Sequence, residues 1–394
     1  MTRIVFLTPQ LPHPPVSGGV IKSRKLIEFL ASKHEVHLFT LVKGSCGQHI
    51  NEFCAAVPLA GFYSDPIAIP RSMRNFIRSI IAGVPLSVYR NWSLPMQGMV
   101  NNQIAQADVV FVDHFLMFQY VPESFEGRIV LHEHNAEYVM WRRFAAVENN
   151  LFRKVAAITE SVRIRAYEAR ICERSHAVLA APNDIEALTS IGIPRNKFIE
   201  TLHLGDERLL LFPEIIFNKT QPYLLYVGSL DWEANRDGLL WFLKEVWPLV
   251  AAKHVGIQCI IIGRNPGSEI ALEVSRLAGV ELLGFVDDLE PYYAQARVFI
   301  APLRFGSGIK VKVINALCRG LPVVTTSVGA EGLHVESGHE MFIADSPVEM
   351  AKDIDALLAN EHKWTMMRDA ARKLAKREYT WDLTLSQVED AVHG

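Results

Sequence analysis

"RVFIAPLRFGSGIKVKVINALCRGLPVVTT", residues 297–326, runs from an apolar, β-branched stretch through a glycine-bracketed turn into a helical pattern, then into a second apolar stretch. It reads as strand, loop, helix, strand. Gly320 stands where a helix stops in a left-handed conformation, and Pro322 opens the strand that follows. Apolar runs that do not alternate signal a parallel sheet covered on both faces. At the first junction, Gly306, Ser307, Gly308 and Ile309 leave backbone N–H groups open to close approach. The helix N-terminus there carries about half a positive charge. Lys310 adds a mobile cation in a place that is unfavourable for the helix alone. Two readings fit these residues: a cradle for an anion, or a tight turn with a solvated lysine. A Walker loop is excluded, because G-x-x-x-x-G-K-[ST] is absent.

The same unit recurs outward in both directions. Strands are predicted at 223–227, 257–262, 280–284, 297–301, 322–326 and 341–344, with a helix over 237–251 capped by Asn235 and Asp237. The first half repeats the scheme, with strands at 3–8, 36–41, 108–112, 128–132 and 177–180 and helices over 20–32 and about 150–173. "GDERLLLFPEIIFNKTQP" (205–222) has no single periodicity and holds two prolines, which makes it the linker. The fold class expected is α/β: two doubly wound, Rossmann-like domains, 1–205 and 206–379, facing a central cleft. A last helix over about 380–394 is expected to cross back to the first domain, with Trp381 at the crossing.

A chain of 394 residues is long for a single core, which agrees with two domains. Its 40 basic and 43 acidic residues leave a net charge of −3, so no global charge favours nucleic acid. Five scattered cysteines without C-x-x-C read as reduced thiols. No apolar run is long enough to span a membrane, and the apolar start is too short for a secretion signal. The chain is therefore expected to be cytoplasmic.

Residues 302–333, "PLRFGSGIKVKVINALCRGLPVVTTSVGAEGL", resemble the donor-site segment of GT-B glycosyltransferases of the group 1, or family 4, type. "YVGSLDWEANRDGLLWFL" (226–243), "IIGRNP" (261–266), "GFVDDL" (284–289), "SGG" (17–19) and "HEHNAEY" (132–138) match in the same order. The resemblance implies transfer of a sugar from a UDP- or GDP-linked donor to a glycan or lipid-linked acceptor, with retained anomeric configuration. No cofactor is implied beyond that nucleotide-sugar co-substrate. It implies donor binding by Gly228, Ser229, Arg264, Phe285, Val286 and the 306–309 loop, with Lys310 on the leaving diphosphate. His114, at the end of "DVVFVDH", corresponds to a histidine that touches the transferred sugar. Asn315 stands where relatives carry the glutamate that holds the ribose, and an amide makes a weaker, neutral contact there. Relatives also carry an arginine near Ser229. Arg264 and Arg304 are the candidates to replace it, and each also reads as a surface arginine.

On the first domain, Gly18 and Gly19 form a second phosphate nest between strand and helix. His134, Asn135 and Glu137 either bind acceptor or sugar, or cap the helix that follows. His132 and His134 fall on opposite faces of an extended strand and would chelate a metal poorly. The one D-x-D, Asp353–Asp355, sits in a helical pattern and reads as a solvated face. No metal site is expected, because Lys310 and the loop N–H groups do a metal's work on a growing diphosphate charge.

Residues 70–92 set Arg71, Arg74 and Arg78 beside Met73, Phe76, Ile77, Ile80 and Ile81. That segment either docks on anionic lipid or packs as an ordinary amphipathic helix. Two rival functions share this sequence: a sugar-nucleotide epimerase of the same fold, and a non-catalytic nucleotide-sugar binder.

Overall fold

The computed structural model describes residues 1–394 apart from 16, 17, 149, 203 and 307. The expectation for Ser307 therefore lies outside the described residues. The chain divides into two units: Met1–His203 with Asp382–Gly394, and Leu204–Trp381.

The first unit is built on a seven-stranded parallel sheet: β1 (Arg3–Thr8), β2 (Glu35–Val42), β3 (Gly61–Pro66), β4 (Val109–Asp113), β5 (Arg128–His132), β6 (Ala177–Ala180) and β7 (Phe198–Glu200). Their order is β3-β2-β1-β4-β5-β6-β7. Both faces are covered, and the period-2 geometry of a strand divides the side chains between two layers. Val5, Leu7, Val110 and Val112 pack on one side with helix Leu151–Arg174. Ile4, Phe6, Val109 and Phe111 pack on the other with Leu26, Ile27 and Leu30 of helix Gly18–Lys33. Phe6 and Phe111 stack at 4.8 Å. Each such side chain contributes about 1.5–3 kcal/mol by leaving water.

The final helix, Trp381–His393, places Val388, Ala391 and Val392 in that second layer. Arg128 Nε donates to the Ala391 carbonyl at 2.7 Å and ties this helix to β5. Trp381 itself stays with the second unit, donating from its backbone to Glu207 and from Nε1 to the Gly205 carbonyl.

The second unit carries β8 (Tyr223–Val227), β9 (Gln258–Ile262), β10 (Val280–Gly284), β11 (Val298–Ala301), β12 (Val323–Thr325) and β13 (Phe342–Ile343), ordered β10-β9-β8-β11-β12-β13 and all parallel. All six follow the sequence pattern. The predicted helix over 237–251 begins earlier, at Glu233, and passes through a π-helical turn, Phe242–Val246, before Trp247–Lys253. Pro248 explains the turn: its ring and missing N–H disrupt the ladder one turn back. Asn235 and Asp237 therefore lie inside the helix and do not cap it.

Two edge strands, β3 and β7, are not evident in the sequence pattern. β3 is only half-buried and β7 spans three residues. Residues 70–92 also differ from one continuous helix. The chain forms helix Met73–Ile81, capped by Ser72 Oγ on the Asn75 N–H, and then a short turn of helix, Leu86–Tyr89.

Candidate active site

In an open parallel sheet, ligands bind at the carboxyl ends of strands where the connections diverge to opposite faces. The strand orders put that point between β1 and β4 in the first unit, and between β8 and β11 in the second. Gly18, Gly19 and His114 follow β1 and β4 at the first point, and Gly228 and the loop of Gly306 and Gly308 follow β8 and β11 at the second.

In the first unit Asp113 ends β4 and is fully buried. His132 Nδ1 and His134 Nε2 each lie 2.8 Å from its Oδ1, and Thr8 Oγ1 donates to its Oδ2 at 2.9 Å. A carboxylate only accepts, so both of those ring nitrogens carry hydrogen. Burial raises the Asp113 pKa, but the His134 charge and the hydrogen bonds from both histidines outweigh it and hold the group well below the usual carboxylate range. The expectation that His132 and His134 point apart is thus corrected. β5 ends at His132, the chain bends at His134 and Asn135, and the two rings come within 4.4 Å.

His114 follows Asp113 with φ +97°, a left-handed value rare outside glycine. Its N–H donates to the His132 carbonyl at 3.0 Å, and its ring lies 4.9 Å from that of His134. Burial first, then His134, lower its pKa well below the usual histidine value, so the ring is neutral at physiological pH. Its Nδ1 accepts from the Leu116 N–H at 3.5 Å, so the hydrogen of the neutral ring sits on Nε2, which can donate to a sugar hydroxyl. Such backbone strain persists only where surrounding contacts enforce it.

Gly18 and Gly19 start helix Gly18–Lys33, and a Cβ on Gly19 would meet His134 Nδ1 at 3.1 Å. The glycine lets this helix approach the histidine group. Asn135 is half-buried beside it. Glu137 opens helix Glu137–Val147, and burial pushes its carboxyl up to about 7. Behind these lies Lys22, 1% exposed, its Nζ 3.2 Å from Thr201 Oγ1; burial lowers its pKa to about 7. Sequence reasoning missed Lys22 and Asp113. The signal for Asp113 was the Asp-His pair closing an apolar strand.

In the second unit, Gly306 and Gly308 take φ +139° and +68°, and Ile309 is buried. Lys310 is the residue just before helix Val311–Arg319. It is 5% exposed, and its Nζ bonds the Gly308 carbonyl. The solvated-lysine reading therefore fails. Lys312, two residues on, places Nζ 2.7 Å from Asn235 Oδ1 and 4.6 Å from the centre of the Tyr226 ring. Burial, then Lys310, lower its pKa to about 7.

Asn235 Nδ2 donates in turn to the Ser229 carbonyl at 2.8 Å. A Cβ on Gly228 would lie 3.1 Å from Tyr226 Oη, 3.2 Å from Asn235 Nδ2 and 3.3 Å from Lys312 Nζ, so a side chain there would press on this group. Lys312, in the first turn of the helix, thus joins this site where the sequence suggested only Lys310.

The remaining residues divide. Arg304 is held by both oxygens of Asp237, whereas Arg264 is half-buried with its carbonyl accepting from Leu230. Phe285 and Val286 follow Gly284, whose φ is +74°, and Phe285 is 63% exposed. Asn315 Oδ1 accepts from the Asp206 N–H at 2.9 Å. Asp355 is bonded by Lys253 and His254, so that acid of the D-x-D joins two helices.

Residues 221–360 match the family model for glycosyl transferases of group 1. Among curated proteins, a 44.6 kDa protein of the cps region of Klebsiella pneumoniae is 24% identical over 365 residues, 90% of each chain. The phosphatidyl-myo-inositol mannosyltransferase of Mycobacterium leprae is 28% identical over 224 residues, 53% of this chain and 55% of that one. Among solved structures, Anabaena HepE in complex with UDP and glucose aligns over 100% of both chains with a TM-score of 0.69 at 12% identity. The fold is GT-B.

Proposed function

We infer that this chain, a glycosyltransferase of the group 1 type, transfers a sugar from a UDP-sugar to a glycan or lipid-linked acceptor in polysaccharide synthesis. The donor's nucleotide and diphosphate are assigned to the second unit. The observation that carries this is the pair Lys310 and Lys312, one buried and the other half-buried with its amine desolvated, at the start of the helix that follows the glycine-bracketed turn. Bringing like charges together out of water is costly unless an anion joins them. A diphosphate leaving group supplies that anion, and its charge grows in the transition state, where fixed donors act most strongly. These cations take the place a metal ion would hold, so transfer proceeds without one. His114 and its neighbours are assigned to the sugar, and the anomeric configuration is retained.

Exposed residues on the first unit support work at a membrane surface. Helix Met73–Ile81 buries Asn75 and Ser79, while Met73, Ile77, Ile80 and Ile81 stay exposed beside Arg74 and Arg78. That is the reverse of a packed amphipathic helix. Among the described residues no helix is long and apolar enough to cross a bilayer. The contact is therefore assigned as peripheral.

Thermal unfolding with a panel of nucleotides tests the donor assignment, because a ligand of the native state raises its stability. UDP and one UDP-sugar are expected to raise the melting temperature, and Lys310→Ala to abolish both the shift and turnover. Turnover should survive EDTA. Conversion of the donor to an epimer without acceptor would identify an epimerase, and binding without turnover over an acceptor panel a non-catalytic binder.

A further inference from the structure

A cavity of ≈ 530 Å³ opens within the first unit, beyond the carboxyl ends of β2 and β3. Lys43 and Arg90 line it together with Asn91, Ile67, Ile69 and Pro70. Its lining combines two cations and an amide with aliphatic side chains. Asn91 is 5% exposed, and its Oδ1 is buried without a hydrogen-bond partner, while its Nδ2 is used on the Ser87 carbonyl. A buried acceptor left unbonded is destabilising, and a ligand hydroxyl would relieve that.

We propose that this cavity binds the acceptor substrate through a phosphate group, held by Lys43 and Arg90, with an acceptor hydroxyl on Asn91. The inference rests on the transferase reading only in calling the ligand an acceptor. Arg90 keeps Nε on the Ile69 carbonyl at 2.8 Å, which leaves its terminal nitrogens to reach an anion. Arg71 raises the local positive charge further: after burial, it is the influence that lowers the Arg90 pKa. Lys43 is also among the charges that depress His114, after burial and His134, so it lies within electrostatic reach of the residue assigned to the sugar. Ile67 and Ile69 offer apolar contact to whatever continues beyond the phosphate.

The experiment uses the full chain saturated with UDP, so that the donor loop is filled, and measures binding of farnesyl diphosphate, inorganic diphosphate and farnesol by calorimetry. Both diphosphates are expected to bind, farnesol at least about tenfold more weakly, and Lys43→Gln to weaken both by about tenfold or more. Because Arg90 also braces the Ile69 loop, Arg90→Lys accompanies Arg90→Gln; the lysine variant is expected to retain part of the affinity. Tighter farnesyl than inorganic diphosphate identifies a lipid-linked source, and equal binding a soluble phosphate ester. Both results sustain the assignment. It is overturned if neither diphosphate binds the UDP-loaded protein, if farnesol binds as well as farnesyl diphosphate, or if Lys43→Gln changes nothing. Failure of UDP itself to bind would instead refute the donor assignment.

Discussion

The amide of Asn235 bridges two parts of the second unit, accepting from Lys312 Nζ at 2.7 Å and donating to the Ser229 carbonyl at 2.8 Å. It holds a lysine against the loop that follows β8. A charge-assisted bond from that ammonium contributes about 1.5–3 kcal/mol. Lys312→Met should therefore weaken UDP binding by roughly 10- to 100-fold, with Asn235→Ala giving a smaller loss. The proton balance gives a second readout. Burial and Lys310 hold the Lys312 pKa at about 7, so at pH 8 the ammonium is mostly deprotonated. A bound diphosphate favours the charged form and raises that pKa. UDP binding at pH 8 should then take up protons, seen as a dependence of calorimetric heat on the buffer's ionisation enthalpy. Lys312→Met should lose most of that uptake; unchanged uptake would show that another group carries it.

Asp113 is the hub of the first unit's site. Removing it with Asp113→Ala leaves Thr8, His132 and His134 with buried donors, at a cost of about 3 kcal/mol. The wild-type contribution depends on pH. The folded pKa lies well below the unfolded value of 3.8, so the stabilisation is complete above the unfolded pKa and is lost as pH falls through the folded one. Denaturant unfolding of wild type and variant should differ most at neutral pH and converge in acid. A gap that persists in acid would assign the loss to packing.

The parallel strands were legible because their burial on both faces writes itself as unbroken apolar runs: "RIVFLT" and "YLLYV" need no partner to be recognised. β3, "GFYSDP", was not, since an edge strand half in water carries no such run. The glycines at 306 and 308 were legible for a related reason: positive φ restricts residue choice. The roles of Asp113, Lys22 and Lys312 were hidden because each depends on residues far off in the chain. Thr8 and His132 reach Asp113 from β1 and β5, and Asn235 reaches Lys312 across 77 positions. Local pattern holds no record of such encounters. The turn that brings His134 back onto Asp113 depends on where β5 stops, and "HEHN" reads equally well as a continued strand.

Asn315 raises a separate question, because its Oδ1 is already bound to the Asp206 N–H. Gly205 is fitted to that contact: a Cβ there would lie 1.7 Å from the same oxygen. The amide thus secures the start of the second unit. Asn315→Ala is expected to destabilise the protein by about 1 kcal/mol, and Gly205→Ala by more, since Asn315 must leave its place. UDP affinity measured well below the melting temperature should fall only a few-fold in Asn315→Ala. A loss near 100-fold without change in stability would instead make Asn315 a principal donor contact.

The exposed face of helix Met73–Ile81 can be tested apart from catalysis. Ile81 is 82% and Met73 71% exposed, and Arg74 and Arg78 are exposed on the same helix. Arg163 fastens the buried side, donating to Ser79 Oγ at 3.2 Å with its guanidinium 5.8 Å from the Phe76 ring, so the outward residues are free of that packing. Each basic residue near an anionic surface contributes about 1 kcal/mol, screened beyond a Debye length. In flotation assays the protein should bind vesicles containing phosphatidylglycerol and release in high salt, with little binding to phosphatidylcholine alone. Arg74→Gln with Arg78→Gln should weaken binding by about 30-fold. Ile77→Ser with Ile81→Ser should weaken it through lost apolar insertion, while leaving the melting temperature nearly unchanged, since neither side chain is buried in the fold. Equal binding to neutral vesicles, or binding indifferent to all four substitutions, would remove the membrane from the account and leave this face for a protein partner.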